Sequence, residues 1–264
     1  MTNVACETDV GVERDRNEDE VLCSELDTNT FEGHLLCVAD GMGGHAGGEM
    51  ASRVAAKEFK GSLKSELDEG TELTEAFDVS IERANGKVRE IADENPEYSG
   101  MGTTLVAAVV SEEGDVTVGN VGDSRAYFVD EDSIEQITED QSLVQELVEE
   151  GVISEEEAED HPQSNVVSQA IGTDEEVEPD FYEEELGGEV LLLCSDGLTD
   201  EVPDERIFEL VSSADSVEEA PDLLIEEAKE NGGRDNISVA VAGEEEGGEG
   251  SEDSGVLGVF GLGG

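Results

Sequence analysis

Apolar positions along the chain fall into two patterns that predict a mixture of strands and helices. Short continuous apolar runs, bounded by glycine or acidic residues, are typical of buried strands. Predicted strands cover residues 34–39, 103–110, 115–121, 125–129, 189–195 and 236–242. Elsewhere apolar residues recur every three to four positions, which indicates amphipathic helices. One helix begins at Gly47, and a second covers residues 72–94 and ends before Asn95 and Pro96.

The second half of the chain combines an acidic insert with further helices. The insert covers about residues 138–185, with one predicted short helix at 142–150, a second near 154–159 and acidic loop elsewhere. Two more helices are predicted at 204–213 and 216–230.

Beyond Ala242 the composition changes. Glycine and glutamate dominate, which is typical of a flexible acidic linker, and the apolar decamer GVLGVFGLGG follows. A bilayer span needs about 20 apolar residues, so the decamer is too short for one. We expect a folded domain over residues 1–242, and a linker and tail over 243–264 that form either a disordered end or a docking peptide.

The charge of the chain is extreme. Its 264 residues include 71 acidic and 13 basic ones, for a formal net charge of −58. Such a charge usually accompanies disorder, but the apolar runs predict a folded protein with an acidic surface. This surface favours the cytosol of an extreme halophile, because salt screens the repulsion. An acidic tail or a cation buffer is the alternative. Nucleic acid is not an expected partner, since no basic stripe is expected to neutralise phosphates.

The cysteines and the N-terminus indicate an intracellular protein. No CxxC pair occurs, and Cys37 and Cys194 lie in apolar runs, where a thiol usually behaves as a small buried apolar group. The segment MTNVACETDV has neither a basic nor an apolar stretch, so it does not predict a signal peptide. We expect a cytoplasmic protein with no membrane contact.

Acidic residues recur at the ends of the predicted strands. Asp40 follows a strand and precedes a glycine-rich turn, and Asp196 also follows a strand and precedes glycine. Further acidic clusters are RDRNED (14–19), GDSR (122–125), SDGLTD (195–200) and GRDN (233–236). Each cluster alone would ordinarily be a solvated turn. Together they predict several carboxylates at one edge of a sheet.

Carboxylates that are close together cannot all stay ionised unless a cation joins them. Ligand sets made only of oxygen favour Mg²⁺ or Mn²⁺ over zinc, and no HxxxH or Cys/His grouping competes for the role. The glycines beside Asp40 would let the backbone approach a metal, so that a main-chain carbonyl could join the carboxylates.

Six ordered motifs carry a family resemblance over about residues 3–242. They are RDRNED, VADGMGGHAGG, MGTTLVAA, VGNVGDSRAY, LCSDGLTD and GGRDNISV. Their order and spacing resemble the metal-dependent protein serine/threonine phosphatases of type 2C, in particular the compact bacterial and archaeal branch. The insert from residue 138 resembles the flap segment of that branch. The resemblance implies an α+β fold: a four-layer α/β/β/α sandwich of two antiparallel sheets flanked by helices.

The resemblance also implies a site for two Mn²⁺ or Mg²⁺ ions and a weaker third one. Water between the two ions would attack the phosphorus of phosphoserine or phosphothreonine directly in phosphorylated protein substrates. The implied metal-site residues are Glu18, Asp19, Asp40, Gly41, Asp123, Asp196 and Asp235.

Individual roles follow from the same resemblance. Asp40 would bridge both ions, the Gly41 carbonyl would bind one of them, and Asp196 and Asp235 would hold the other. Glu18 and Asp19 would act mainly through water, and Asp123 with Asp196 would hold the third ion. Asp200 would lie behind the ligands or at the third ion. Arg14 would grip the substrate phosphate, whereas Arg16 is expected to be solvated or structural.

Two positions depart from the family pattern. Many eukaryotic relatives have a histidine directly after the Asp-Gly pair as the general acid, and this chain has Met42 there. His45 is a candidate general acid, with a structural turn residue or a water molecule as the alternatives. In the flap, Gln141 stands where many relatives have histidine, which leaves its substrate contacts open.

Three other readings stay open at this point. They are a pseudophosphatase or signalling module, another two-metal phosphoester hydrolase such as a phosphodiesterase, and an inert acidic protein. Missing metal ligands would indicate the first, and none of the implied positions is missing. We expect an active phosphatase that is a monomer.

Overall fold

The computed structural model describes residues 2–43, 47–154, 157–158, 161–163 and 165–244. Across these residues, a pair of five-stranded antiparallel sheets lies face to face, with helices on both outer faces. The predicted α+β, four-layer α/β/β/α sandwich is confirmed.

The strands are numbered in chain order. In spatial order, one sheet contains β1 (Thr2–Asp9), β12 (Ile237–Glu244), β11 (Val190–Cys194), β8 (Arg125–Val129) and β9 (Ile134–Gln136). The other contains β10 (Asp180–Glu185), β7 (Asp115–Val121), β6 (Leu105–Ser111), β3 (Glu32–Ala39) and β2 (Glu20–Asp27). The two short strands β4 (Gly41–Met42) and β5 (Gly102–Thr103) pair with each other in a separate two-stranded sheet.

Two long helices, α1 (Gly47–Glu69) and α2 (Leu73–Glu94), cover the sheet that contains β3. The helices α5 (Asp204–Ser213) and α6 (Ala220–Asn231) pack on the other sheet. The shorter helices are α3 (Leu143–Glu149), α4 (Asp196–Thr199) and a 3₁₀ turn at Pro96–Tyr98. No helix in the described ranges is long and apolar enough to cross a bilayer.

The apolar run of β3 shows why continuous hydrophobic segments became central strands. Leu35 and Cys37 face the layer of α1 and α2, whereas Leu36 and Val38 face the second sheet. A strand that is covered on both faces has no polar side, so alternation disappears. Cys37 and Cys194 are fully buried, as predicted.

Differences from the sequence predictions concentrate at the sheet edges. The acidic insert was expected to be loop up to residue 185, but Asp180–Glu185 forms β10, an outer strand with three consecutive glutamates. Charged residues are common on outer strands because they discourage pairing with another chain. The last strand continues to Glu244, two residues past the predicted end. The predicted helix near 154–159 falls largely on residues that the structure does not describe.

Candidate metal centre

The acidic motifs meet at one end of the sandwich. Asp40 follows β3, Asp123 lies between β7 and β8, Asp196 follows β11, and Asp235 precedes β12. They line a cleft of about 650 Å³. Its other lining residues are Arg14, Asp15, Arg16, Glu18, Gly41, Met42, Gly43, Thr104, Asn165, Val167 and Asn236. The antiparallel fold thus brings together residues from both ends of the sequence.

The backbone of Asp40 is fixed by two threonines of the MGTTLVAA motif. The Asp40 amide donates a hydrogen bond to Thr104 Oγ1 at 2.9 Å. Its carbonyl accepts bonds from Thr103 Oγ1 at 2.8 Å and from the Thr104 amide at 2.9 Å. Thr104 Oγ1 also shares a 2.8 Å hydrogen bond with Ser124 Oγ. These polar residues, which sequence reasoning did not assign, hold the start of the Asp40 turn in place.

Asp19 is buried, with 7% of its surface exposed. Its Oδ2 accepts hydrogen bonds from Ser195 Oγ at 2.9 Å and Ser238 Oγ at 2.7 Å, whereas Oδ1 is buried without a partner. Burial raises the pKa of Asp19 to about 7, and the two serine bonds oppose that rise. Asp19 therefore offers one unsatisfied carboxylate oxygen beside the cleft.

Three more carboxyl groups of the centre, Asp40, Asp123 and Asp196, have raised pKa values. Burial, together with the nearby Asp19 and Asp196, raises the pKa of Asp40 well above its usual range. Burial is also the main cause that raises the pKa of Asp123 to about 7 and that of Asp196 to about 6. The carboxyl groups of Asp40 and Asp196 are close enough to perturb each other, and Asp196 Oδ1 is buried without a partner. The carboxylates therefore lack enough positive charge to balance them.

This donor set fits divalent cations such as Mn²⁺ or Mg²⁺. All the donors are oxygen atoms, and two of them, on Asp19 and Asp196, are buried without a hydrogen-bond partner. Among the described residues no group of three or more His, Cys, Asp or Glu side chains is arranged to hold a metal ion by itself, so main-chain oxygens or water would have to complete the ligand set.

Gly41 is required by packing at this position. A Cβ atom at Gly41 would lie 2.3 Å from the carbonyl oxygens of Glu18 and Gly48. The backbone of β4 can therefore pass between the RDRNED loop and the first turn of α1 only without a side chain. This close approach is to protein backbone, which adds a structural reason to the predicted metal-binding one.

Arg14 lies on the cleft wall and is half exposed. Its Nη2 donates to Asp235 Oδ2 at 2.5 Å, and its Nε donates to the Arg234 carbonyl at 3.3 Å. Arg16 lines the same cleft, so the two arginines of the motif are less distinct than the sequence suggested. The pairing of Arg14 with Asp235, 221 residues later in the chain, depends on the fold.

Asn236 anchors the RDRNED loop and was missed by sequence reasoning. It is buried, and its Oδ1 accepts a bond from the Glu18 amide at 2.7 Å. Its Nδ2 donates to the carbonyls of Val10 and Arg16, each at 2.9 Å. The only available signal was its position next to Asp235 in GRDN.

Asp200 and Gln141, two further residues singled out from the sequence, lie around this centre. Asp200 is exposed and lines a smaller neighbouring cleft of about 190 Å³, which also contains Arg14 and Asp235. Gln141 connects the flap to the loop after β7, because its Oε1 accepts a hydrogen bond from the Gly122 amide at 2.8 Å. Its Nε2 donates to Asp180 Oδ2 at 2.6 Å. His45 lies outside the described residues.

An ion pair also ties the flap to the sandwich. Arg125 of the GDSR motif binds Asp140 through Nε at 2.8 Å and Nη2 at 2.6 Å. Such bidentate pairs fix both position and orientation. Further along the flap, Asn165 and Val167 reach the cleft, so the insert supplies some of the wall.

Comparison with known proteins gives a consistent family. The protein-family model described as protein phosphatase 2C matches residues 13–224 of this chain. The serine/threonine phosphatase stp of Listeria innocua is 39% identical over 237 residues, which cover 89% of this chain and 92% of that protein. The serine/threonine protein phosphatase PstP of Mycobacterium tuberculosis is 38% identical over 242 residues, 90% of this chain and 44% of PstP.

Solved structures that are similar to this chain belong to serine/threonine phosphatases as well. The S. agalactiae serine/threonine phosphatase superposes with a TM-score of 0.84 at 35% identity, covering 93% of this chain and 100% of that one. The catalytic domain of PstP, solved in complex with two manganese ions, gives a TM-score of 0.77 at 36% identity, covering 92% of this chain and 97% of that one. With its fold, its cleft and these relatives taken together, the chain belongs to the protein phosphatase 2C family.

Proposed function

We propose that this protein is a metal-dependent protein serine/threonine phosphatase that dephosphorylates phosphoserine and phosphothreonine in proteins and so opposes protein kinases. The relatives are named for this activity. The observation that carries the proposal is the set of carboxylates that lines one cleft beside Arg14. The cofactors are two Mn²⁺ or Mg²⁺ ions, with a weaker third.

A parallel assay tests this function. Phosphothreonine peptide and cyclic nucleotide are supplied separately with Mn²⁺ in molar KCl. We expect turnover of the peptide alone. Turnover of the cyclic nucleotide alone would indicate a phosphodiesterase, and metal binding without any turnover would indicate a pseudophosphatase.

The metal ligands are proposed by motif and supported by their place in or beside the cleft. Asp40 would serve both ions, the Gly41 carbonyl would serve one of them, and Asp196 and Asp235 would hold the other. The remaining proposed contributors are Glu18 and Asp19 through water, Asp123 at the third ion, and Asp200 behind it. The partnerless oxygens of Asp19 and Asp196 support this assignment.

The chain's own residues then orient the substrate and the ligands. When bound, the ions supply an acidified water as nucleophile and neutralise charge on the phosphoryl oxygens. Arg14 adds charge-assisted hydrogen bonds to the phosphate from the cleft wall. Asp235 and the Arg234 carbonyl hold that guanidinium, and Ser195 and Ser238 hold Asp19.

Arg14→Ala should lower kcat/KM on phosphopeptides about tenfold to a hundredfold, because a hydrogen bond to a charged group contributes roughly 1.5–3 kcal/mol. The Mn²⁺ concentration for half-maximal activity should not rise, since the change frees Asp235 from its ion pair. Steady-state kinetics with a phosphothreonine peptide measures both.

The matched control is Arg206→Ala, because Arg206 also pairs with a carboxylate, Glu227, but lies on α5. Arg16→Ala is expected to cost less than Arg14→Ala. Equal losses for Arg14 and Arg206 variants would contradict the phosphate role.

We further propose a cytoplasmic monomer that contacts neither membrane nor nucleic acid. The helix α1 does carry a short basic row, contrary to the expectation of no basic stripe. It contains Arg53, Lys57, Lys60 and Lys64 on one face. Arg53 in this row is paired with Glu49, and the net charge of −58 opposes binding of polyanions.

The domain boundary gives a further test. Truncation after Glu244 should leave kcat unchanged, because the described cleft residues all precede β12. Truncation after Ala242 removes the pairing of Gly243 and Glu244 with β1 and should lower the melting temperature. A large fall in kcat for the protein truncated after Glu244 would show that the tail belongs to the catalytic unit.

A further inference from the structure

Two cysteines lie at the open side of the sandwich, away from the cleft. Cys6 is on β1 and Cys23 on β2, and each strand is the outermost one of its sheet. Both side chains pack against the core between the sheets and are half-buried. They therefore face each other across the two layers at an edge that no further strand of the described chain covers.

The two cysteines are neighbours between the sheets, because β1 and β2 contact each other and both side chains pack against the same apolar layer. Hydrogen bonding from Cys23 lowers the pKa of Cys6, whereas hydrogen bonding to Cys6 and burial raise the pKa of Cys23. A thiolate is the reactive form, so Cys6 is the more nucleophilic of the two. The other two cysteines, Cys37 and Cys194, are fully buried.

We propose that Cys6 and Cys23 form an oxidation site, which a hydroperoxide converts into a disulfide that joins the two sheets. The Cys6 thiolate attacks the peroxide oxygen, breaks the O–O bond and becomes a sulfenic acid, with hydroxide or alkoxide leaving and taking up a proton. The Cys23 sulfur then attacks the sulfur of Cys6 and releases water. The thiols lose two electrons, and the peroxide gains them.

The disulfide would close the segment of residues 6–23, which contains the RDRNED loop. It contains Arg14, Glu18 and Asp19, and its two arms already meet where Asn17 Nδ2 donates to Thr8 Oγ1 at 2.7 Å. A crosslink restricts the unfolded chain, so it should stabilise the fold. Cys23 lies four residues beyond Asp19 on an extended strand, roughly 13 Å away at about 3.3 Å per residue. Oxidation should therefore leave turnover nearly unchanged.

The experiment treats the full chain in molar KCl with hydrogen peroxide and then measures free thiols after unfolding. We expect the thiol count to fall from four to two, with a peptide that joins the segments around Cys6 and Cys23. The melting temperature should rise by about 5–10 °C, as a loop of this length predicts, and dithiothreitol should reverse the rise.

Cys6→Ser and Cys23→Ser should each abolish the crosslink and the shift, with phosphatase activity measured to confirm folding. Peptide mapping of the wild-type chain tests the proposal even if a variant fails to fold. Four free thiols after oxidation, a sulfinic acid on Cys6 beside a reduced Cys23, or only disulfide-linked dimers would each overturn it.

Discussion

Asp40→Asn should reduce kcat by at least about a thousandfold, the upper end of what one electrostatic group contributes to a transition state. The carboxylate is proposed to serve both ions, so an amide in its place weakens the whole centre. The substitution should not destabilise the metal-free fold, because burial and the neighbouring carboxyl groups raise the pKa of Asp40 and so disfavour its charged form. Its melting temperature without metal should stay the same or rise.

The control for this change is Asp15→Asn. Asp15 lines the same cleft but is not among the proposed ligands, so its loss should alter kcat only slightly. Steady-state turnover and thermal melts of both variants, with and without Mn²⁺, separate loss of catalysis from loss of folding. An Asp40→Asn enzyme that keeps a tenth or more of its kcat would refute the bridging role.

Transfer from molar KCl to dilute buffer should lower the melting temperature by about 10 °C or more, which corresponds to a few kcal/mol for a domain of this size. The net charge is −58, with only 13 basic residues to offset it. The Debye length is about 3 Å at 1 M salt but about 10 Å at 0.1 M, so unscreened repulsion then acts across neighbouring side chains.

The control replaces KCl with sorbitol at equal osmolality in the presence of EDTA. Sorbitol stabilises through exclusion from the surface but screens no charge, so it should not restore the melting temperature fully. A melting temperature that stays constant between dilute buffer and molar salt would contradict adaptation to a salty cytosol.

The sequence predicted best those elements that have a regular pattern of apolar residues. The limits of β7, β8 and α5 agree with the predicted ranges 115–121, 125–129 and 204–213. A strand that is buried on both faces or a helix with one apolar stripe has a pattern that does not depend on distant residues. The outer strands β1 and β10 were missed because they are half exposed and rich in polar residues.

The carboxylates of the centre could be named from their motifs, but their supports could not. Thr104, Ser195 and Ser238 stand in or beside apolar runs, where a hydroxyl carries no signal of its partner. The partners become visible only when the topology places Asp40 beside β6, and Asp19 beside β11 and β12. The Arg14–Asp235 pair was missed for the same reason.

The most direct test of the central claim is turnover of a phosphothreonine peptide in molar KCl before and after removal of divalent ions with EDTA. If the cleft carboxylates hold the ions that make catalysis possible, activity should disappear with the chelator and return on addition of excess Mn²⁺ or Mg²⁺. Activity that survives exhaustive chelation would contradict the account.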